Sequence, residues 1–241
     1  MQMSQFHYLP LAPGFFSILI GVLVVLFVAL MVLDLLRHAY LNLGVSPRTA
    51  MYLLLGTLVG SYFNIPVATL PAEPLVSNET ITFFGMEYTV PGAEDSVRTV
   101  IALNVGGAII PTLMSIYLLV TRNLWIKGAI ATAIVALVLH WLANPVPGLG
   151  IAVPVIFPAV TTAIVSLLLS REFAAPLAYI AGGMGTLIGA DLTNLDKVRG
   201  LGAPVASIGG AGTFDGIFLT GILAVLLAGL YHHRKRAAQA L

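Results

Sequence analysis

The sequence predicts an all-α membrane protein with about seven transmembrane helices and a short extracytoplasmic β-hairpin insert. Two observations predict this fold class. Of the 241 residues, 59% are hydrophobic and only 9% are charged, whereas soluble domains usually carry about 25% charged residues. The apolar residues also form runs close to the roughly 20 residues that a helix needs to cross a bilayer. The chain is therefore expected to be a single polytopic membrane domain over residues 1–241.

Seven apolar runs are predicted to span the membrane. In chain order they are 14–36, 49–66, 99–121, 128–143, 151–170, 173–193 and 205–231. The first is interpreted as a retained helix, because the residues before it lack the basic segment of a cleavable signal. The fourth is short, and the seventh is expected to begin with a non-helical stretch.

One sizeable polar insert, residues 67–98, separates the second run from the third. Its acidic residues are Glu73, Glu79, Glu87, Glu94 and Asp95. Within it, "ITFFGMEYTV" (81–90) consists of two short β-prone runs around Gly85-Met86, a pattern that predicts a hairpin. The insert is expected to lie on the extracytoplasmic surface.

The positions of lysine and arginine predict the orientation, because cytoplasmic loops of membrane proteins are enriched in both. With seven spans, eight of the 11 basic residues fall on one side of the membrane, and Arg98, Lys197 and Arg199 fall on the other. The predicted topology therefore places the N-terminus outside the cytoplasm and the C-terminus inside it.

Composition excludes several functions. The absence of cysteine excludes disulfides, thiolate metal sites and a cysteine nucleophile. The net charge of +1 gives no argument for nucleic acid. No P-loop or dinucleotide fingerprint is present, and neither a metal site nor a cofactor is predicted. The expected partners are the lipid bilayer and either a transmembrane peptide substrate or a small ion or solute. The sequence is compatible with an oligomer but does not decide the oligomeric state.

Helix-breaking and polar residues gather toward the predicted outer half of the membrane. The segments are "YFNIP" (62–66), "NVGGAIIP" (104–111), "HWLANPVPGLG" (140–150), "IGADLTNLD" (188–196) and "GGAGTFD" (209–215). Non-helical backbone at membrane depth requires burial in protein or a watery cavity. The cluster favours a cavity that opens outward, and ordinary helix ends are the alternative. The candidate lining residues are Asn64, Asn104, Asn144 and Asn194.

Small residues recur every four positions in the last two runs. One such face consists of Gly212, Gly216, Thr220, Ala224 and Ala228, and another of Ala181, Gly185 and Gly189. Small-residue faces allow helix backbones to approach closely. The sixth and seventh spans are therefore predicted to be antiparallel neighbours.

Two aspartates lie at the ends of these neighbouring spans. Asp191 closes the sixth span and Asp215 opens the seventh. An ionisable residue inside a membrane indicates a functional site, because its burial costs several kcal/mol unless it is paired or hydrated. Two close carboxylates share a proton, so that one can act as a base toward water while the other donates to a carbonyl. That is the chemistry of aspartic proteolysis. The glycines that would let an extended substrate approach are Gly209, Gly210, Gly212 and Gly216.

Two resemblances bear on this site. The segments "SYFNIP", "NVGGAIIP", "IGADLTNLD" and "GAPVASIGGAGTFDGIFLTGILA" together resemble an uncharacterised family of prokaryotic multi-pass proteins, labelled only as a domain of unknown function. In addition, "GAGTFDGIFLTG" is similar to the second motif of the presenilin and signal-peptide-peptidase group of intramembrane aspartyl proteases. The second resemblance implies that Asp191 and Asp215 form a catalytic dyad.

Three functions are therefore open at this stage. The first is an intramembrane aspartyl protease that uses Asp191 and Asp215. The second is a transporter or channel for a cation, a proton or a small polar solute, in which the same carboxylates and neutral asparagine oxygens form the site. The third is a structural membrane protein whose aspartates cap helix ends. Capping explains Asp191 poorly, because the dipole at a helix C-terminus opposes a carboxylate.

Overall fold

The protein is described from a computed structural model over residues 13–71, 80–83, 86–89, 98–146, 150–153, 156–198, 205–210 and 220–229. This part of the chain is mostly helical and carries a small sheet. Its helices are α1 (Pro13–Asn42), α2 (Pro47–Gly60), α3 (Ile110–Thr121), α4 (Trp125–Leu142), α5 (Ile156–Leu169), α6 (Ala174–Thr186) and α7 (Thr220–Gly229). Each predicted apolar run overlaps one of them, which confirms the helical character of the fold.

Two of the described helices are long and apolar enough to cross a membrane, over Ile20–Asn42 and Trp125–Leu142. About seven transmembrane helices were predicted, but the other apolar runs contain non-helical segments that shorten their helices. The run 99–121 begins with a strand and a π-helical turn, which leaves 12 residues for α3. The run 173–193 ends in a π-helical turn followed by a 3₁₀ segment, which leaves 13 residues for α6.

Helix α1 presents an uncovered apolar surface. Every residue from Ile20 to Leu35 is exposed, including Val25 at 70% and Phe27 at 64%. Burial begins at Leu36, where α1 joins the core. Proteins in water rarely expose a contiguous apolar surface of this extent, so the exposure fits a helix that is surrounded by lipid.

The described residues also contain seven short strands. They are β1 (Asn64–Thr69), β2 (Thr80–Phe83), β3 (Met86–Thr89), β4 (Val100–Asn104), β5 (Asn144–Val146), β6 (Gly150–Ala152) and β7 (Val205–Ile208). Strands β2 and β3 form an antiparallel pair in which Phe83 faces Met86. The hairpin predicted over 81–90 is therefore confirmed. Strands β5 and β6 form a second antiparallel pair.

A three-stranded sheet joins segments that are distant in the sequence. Strand β4 lies at its centre, antiparallel to β1 and parallel to β7, and Val100 faces Val205 in the parallel pair. The assignment of residues 64–66 and 99–104 to helical spans was wrong, whereas β7 fits the expectation that the seventh run begins with a non-helical stretch. Periodicity alone cannot distinguish a short apolar strand from part of a buried helix, and the pairing partners are too distant for a local pattern to show them.

Helix α6 lies at the centre of the helical core. All of its residues from Leu177 to Gly183 are buried, and helices α3, α4 and α5 pack against it. A helix that is apolar on every face is expected to be enclosed by other elements in this way. The irregular segment that follows α6 is therefore attached to the most deeply buried helix of the protein.

The small-residue faces pack differently from the prediction. Gly185 and Gly189 lie against α4, where a Cβ added at Gly185 would come within 2.6 Å of the Cγ1 atom of Val135. Helix α6 meets α7 at Gly182, where an added Cβ would lie 2.8 Å from the Cα atom of Gly221. The predicted contact between the sixth and seventh helices is present, but the predicted face on α6 packs against α4.

Alanine at Gly182 is expected to destabilise the protein by about 1–3 kcal/mol, because overpacking a tight contact displaces the backbone. Gly221→Ala is the matched control: the nearest atom to its added Cβ lies 3.7 Å away, and alanine favours a helix over glycine by about 1 kcal/mol. The measurement is the midpoint of SDS-induced unfolding in mixed micelles. Equal midpoints for the two variants would contradict the close α6–α7 contact.

Two turns meet at the end of the bundle opposite the three-stranded sheet. The Nη2 atom of Arg122, directly after α3, lies 3.5 Å from the carbonyl oxygen of Leu43 and 3.4 Å from that of Gly44, directly after α1. The α1–α2 and α3–α4 connections are therefore neighbours. The irregular segments gather at the other end, which holds the candidate site.

Candidate functional site

Asn104 connects β1, β4 and the first π-helical turn. It ends β4, is fully buried, and precedes the turn Val105–Ile109. Its Oδ1 atom accepts a hydrogen bond from the Gly107 backbone N–H at 2.8 Å. Its Nδ2 atom donates to the Ser61 carbonyl at 2.8 Å and to Asn64 Oδ1 at 3.0 Å. Asn104 therefore caps the turn that opens α3 and joins that turn to the end of α2.

Ser207 connects the third strand to the same group. Its hydroxyl lies 2.6 Å from Asn64 Oδ1 and 2.6 Å from the Gly210 carbonyl oxygen. A hydroxyl carries one hydrogen and so donates to one of the two oxygens at a time. The predicted candidates Asn64 and Asn104 are thus brought together, and Ser207 joins them.

Asp191 lies where the helical geometry of α6 is interrupted. It ends the π-helical turn Leu187–Asp191, which follows α6 directly. Its Oδ2 atom accepts a hydrogen bond from the Gly209 backbone N–H at 2.8 Å. Gly209 and Gly210 have φ angles of +91° and +78°, a region that side chains other than glycine rarely adopt. The backbone can therefore turn its N–H toward the carboxylate.

Gly209 lies between the two π-helical turns. A Cβ added to it would come within 2.6 Å of the Ala108 backbone nitrogen in the first turn, while its N–H contacts Asp191 in the second. π-Helical turns inside helices occur frequently at functional sites. Here the π-helical turn that opens α3 and the one that ends α6 meet through one glycine.

Asn194 forms hydrogen bonds with backbone carbonyl groups of the second π-helical turn. Its Nδ2 atom donates to the carbonyl oxygens of Gly189 and Ala190, each at 2.9 Å. Its Oδ1 atom accepts from the Lys197 ammonium group at 2.6 Å. Lys197, which is itself exposed, is therefore a partner of a buried side chain.

The other predicted residues fall outside this group. Asn144 is exposed at the start of β5, and its Nδ2 atom donates to the Leu142 carbonyl at 3.1 Å. Asp215, Gly212 and Gly216 lie outside the described residues, so the predicted dyad of Asp191 and Asp215 is not tested.

The sequence missed the backbone donors and Ser207. Asn104 stands three residues before Gly107, which is the spacing of a side-chain cap, and this signal could have identified the capped turn. Nothing local marks Ser207, because it is brought to Asn64 by the pairing of β7 with β4.

Among the described residues the Asp191 carboxylate has no ion pair, and its hydrogen bond to Gly209 is its one contact of that kind. It is partly buried. A carboxylate in this setting can take up and release a proton or attract a cation. The polar atoms of Asn64, Asn104 and Asn194 are largely occupied by hydrogen bonds within the protein. Among the described residues of this group, Asp191 is therefore the side chain that remains able to bind a proton or a cation.

An open apolar groove of about 310 Å³ lies elsewhere on the surface. It is lined by Leu137, Val138, Trp141, Leu142 and Phe157. Its lining contains no charged side chain and none of the residues that contact Asp191.

Comparison with known proteins identifies one family. Residues 58–227 match a family described as a protein of unknown function, DUF1614. The match includes the strands β1, β4 and β7, both π-helical turns and Asp191. No curated protein and no solved structure matches the chain. None of the comparisons gives evidence for the resemblance to the presenilin and signal-peptide-peptidase group.

Proposed function

The chain belongs to the DUF1614 family, and on that premise we propose that it is a multi-pass membrane protein that moves protons across a bilayer at the carboxylate of Asp191. The observation that carries this proposal is the position of Asp191. It is a partly buried carboxylate at the break of the central helix, without an ion pair among the described residues. Such a residue inside a membrane protein indicates a pathway for ions or protons.

In the proposed topology all seven helices contribute to the membrane domain, with the N-terminus outside the cytoplasm and the C-terminus inside it. The exposed apolar surface of α1 supports insertion in lipid. Strands and π-helical turns extend the shorter helices to the thickness of the membrane. At that depth their backbone groups must be buried by protein or solvated by water. The insert 67–98 then lies on the extracytoplasmic side.

Transport accounts for the π-helical turns at the start of α3 and at the end of α6. Discontinuous helices near the middle of a membrane protein commonly form the substrate and ion sites of transporters, because the break exposes backbone groups. The π-helical turn that opens α3 and the one that ends α6 meet at Gly209 beside Asp191. Proteolysis would need a second carboxylate next to Asp191. Asp215 was predicted for that role but lies outside the described residues, so the protease stays a prediction, whereas a proton carrier needs one carboxylate.

Proton uptake into liposomes tests this function. The purified protein is reconstituted with internal potassium and a trapped pH-sensitive dye, and valinomycin then sets a membrane potential that is negative inside. We expect internal acidification faster than in liposomes that lack protein. Equal rates in both preparations, with the protein shown to be folded and inserted, would contradict the proposal.

A further inference from the structure

The core contains four buried hydroxyl groups without a hydrogen-bond partner in the described part of the chain. They belong to Ser115, Thr162, Ser166 and Tyr179. The first three are 0% exposed and Tyr179 is 3% exposed. Leaving a buried polar group unsatisfied costs about 1–3 kcal/mol, and native proteins contain few such groups. Four of them in one core need an explanation other than stability.

Two of these hydroxyl residues approach α6 where it has no side chains. The Ser115 hydroxyl, on α3, would lie 3.8 Å from a Cβ added at Gly183. The Thr162 methyl group, on α5, would lie 3.5 Å from a Cβ added at Gly182. The two consecutive glycines therefore leave room for polar side chains from two neighbouring helices at one level of the bundle.

Other hydroxyl residues lie about one helical turn to either side of this level. Tyr179 lies about one turn before the two glycines on α6 and Thr186 about one turn after them, given 3.6 residues per turn. Ser166 follows Thr162 by one turn on α5. Because α5 and α6 are packed neighbours joined by a short connection, they run antiparallel, and Ser166 is displaced toward the level of Tyr179.

The buried hydroxyls of Ser115, Thr162, Ser166 and Tyr179 form a row, called the hydroxyl row below, that has a defined start and end. Beyond Thr186, whose hydroxyl donates to the Gly182 carbonyl at 2.6 Å, the same helix leads to Asp191. At the other end the Tyr179 ring packs against Tyr40, with the ring centroids 6.1 Å apart. The Tyr40 hydroxyl lies 3.4 Å from Thr57 Oγ1. Asp191 lies twelve positions after Tyr179, and the α-helical part from Tyr179 to Thr186 alone rises about 10 Å at roughly 1.5 Å per residue.

We infer that Ser115, Thr162, Ser166 and Tyr179 line a path of water molecules that conducts protons through the helix core between Asp191 and Tyr40. The inference rests on the proposed function, for which it supplies the route. Each hydroxyl can accept one hydrogen bond and donate another. A proton entering at one end therefore displaces one proton at the other, and only O–H bonds are exchanged.

Cysteine substitution tests whether water reaches the hydroxyl row. The natural chain contains no cysteine, so each introduced thiol is the only one in its variant. Single variants Ser115→Cys and Ser166→Cys are placed in liposomes and treated with Ag⁺, an ion small enough to follow water. Ag⁺ bonds to the sulfur as the thiol proton leaves. Unreacted thiols are then counted with a maleimide dye after unfolding in SDS.

We expect Ag⁺ to protect both cysteines from the dye. Ala131→Cys is the control, because Ala131 is 0% exposed in an apolar cluster of α4 and α6 and its cysteine should stay free. Folding of every variant is checked by size-exclusion chromatography. If Ag⁺ leaves the cysteines at 115 and 166 as free as the one at 131, the path is dry and the inference is overturned.

Proton uptake supplies a second test with a neighbouring control residue. Thr162→Val removes a hydroxyl of the row without changing shape, and we expect at least about tenfold slower uptake because valine offers no hydrogen-bonding group. Thr161→Val is matched to it, since the Thr161 hydroxyl donates to the Phe157 carbonyl of its own helix at 2.9 Å. That variant should retain the wild-type rate.

The two tests separate the route from the proposed function. If the Thr162→Val variant takes up protons at the wild-type rate and the cysteines at 115 and 166 do not react, the proposed route is overturned and proton transport by the protein still stands. Reactive cysteines in a protein that moves no protons support a water-lined path and overturn the proposed function.

Discussion

Asp191→Asn is expected to lower proton uptake into liposomes by at least about tenfold, because an amide neither takes up nor releases a proton at accessible pH. The substitution keeps the shape of the side chain. Its Oδ1 atom can still accept the hydrogen bond that the Gly209 backbone N–H donates at 2.8 Å. The variant should therefore fold with the same contact between the two π-helical turns, and the loss should be one of transport alone.

Asp196→Asn is the matched control for this prediction. Asp196 lies five residues further along the chain, on the 3₁₀ segment Leu192–Val198, and is exposed. Its substitution removes the same charge from the same end of the protein, so any effect of surface charge on uptake would be common to both variants. We expect wild-type uptake for Asp196→Asn. Equal rates for wild type, Asp191→Asn and Asp196→Asn would show that Asp191 does not carry the proton.

Asp191→Glu adds a second comparison. Glutamate restores a carboxylic acid but moves it by one methylene, away from the Gly209 N–H. If Asp191 acts through its proton, this variant should transport better than Asp191→Asn. If Asp191 only anchors Gly209, Asp191→Asn should be the better of the two, because it alone preserves the length of the side chain.

Hydrophobicity was sufficient to predict where the helices lie. The run 128–143 corresponds closely to α4, Trp125–Leu142, because a long apolar run has few ways other than a helix to satisfy its backbone in an apolar environment. The hairpin over 81–90 was also predictable, since β-prone residues flank a glycine. In both cases the information is local in the sequence.

The three-stranded sheet was not predictable, because it depends on contacts between distant segments. The run 99–121 is mainly apolar along its whole length, yet its first residues form β4 and only the last 12 form α3. What distinguishes the two halves is the availability of β1 and β7 as partners for β4. Asn104 then ends the strand and caps the next turn, a change of geometry that hydropathy does not register.

The candidate site was predictable in part. Asp191 was identified because a carboxylate in an apolar run is costly, and the structure places it at a helix break. Its partner in the described chain is a backbone N–H of Gly209. Sequence patterns cannot reveal such a donor, since every residue except proline carries one. The hydroxyl row was missed for a related reason: Ser115 and Thr162 become neighbours of α6 only through helix packing.

Asn104→Ala is expected to destabilise the protein by about 2–4 kcal/mol, because it leaves the buried Gly107 N–H and Ser61 carbonyl without the partners they have in the wild type. Both bonds are 2.8 Å long. Asn144→Ala is the control: Asn144 is exposed and bonds to the nearby Leu142 carbonyl, so its loss should change stability by no more than about 0.5 kcal/mol. The midpoint of SDS-induced unfolding measures both.

Asn104→Asp then separates the two roles of Asn104. Aspartate keeps an oxygen to accept from the Gly107 N–H, but it cannot donate to Ser61 or Asn64, whose oxygens it would instead face with a negative charge. If capping the π-helical turn were the whole contribution, Asn104→Asp would unfold at the wild-type midpoint. We expect it to unfold at least as early as Asn104→Ala, because an uncompensated charge in a buried position costs more than a missing hydrogen bond. That order of midpoints would show that an oxygen that caps the π-helical turn is not sufficient at position 104.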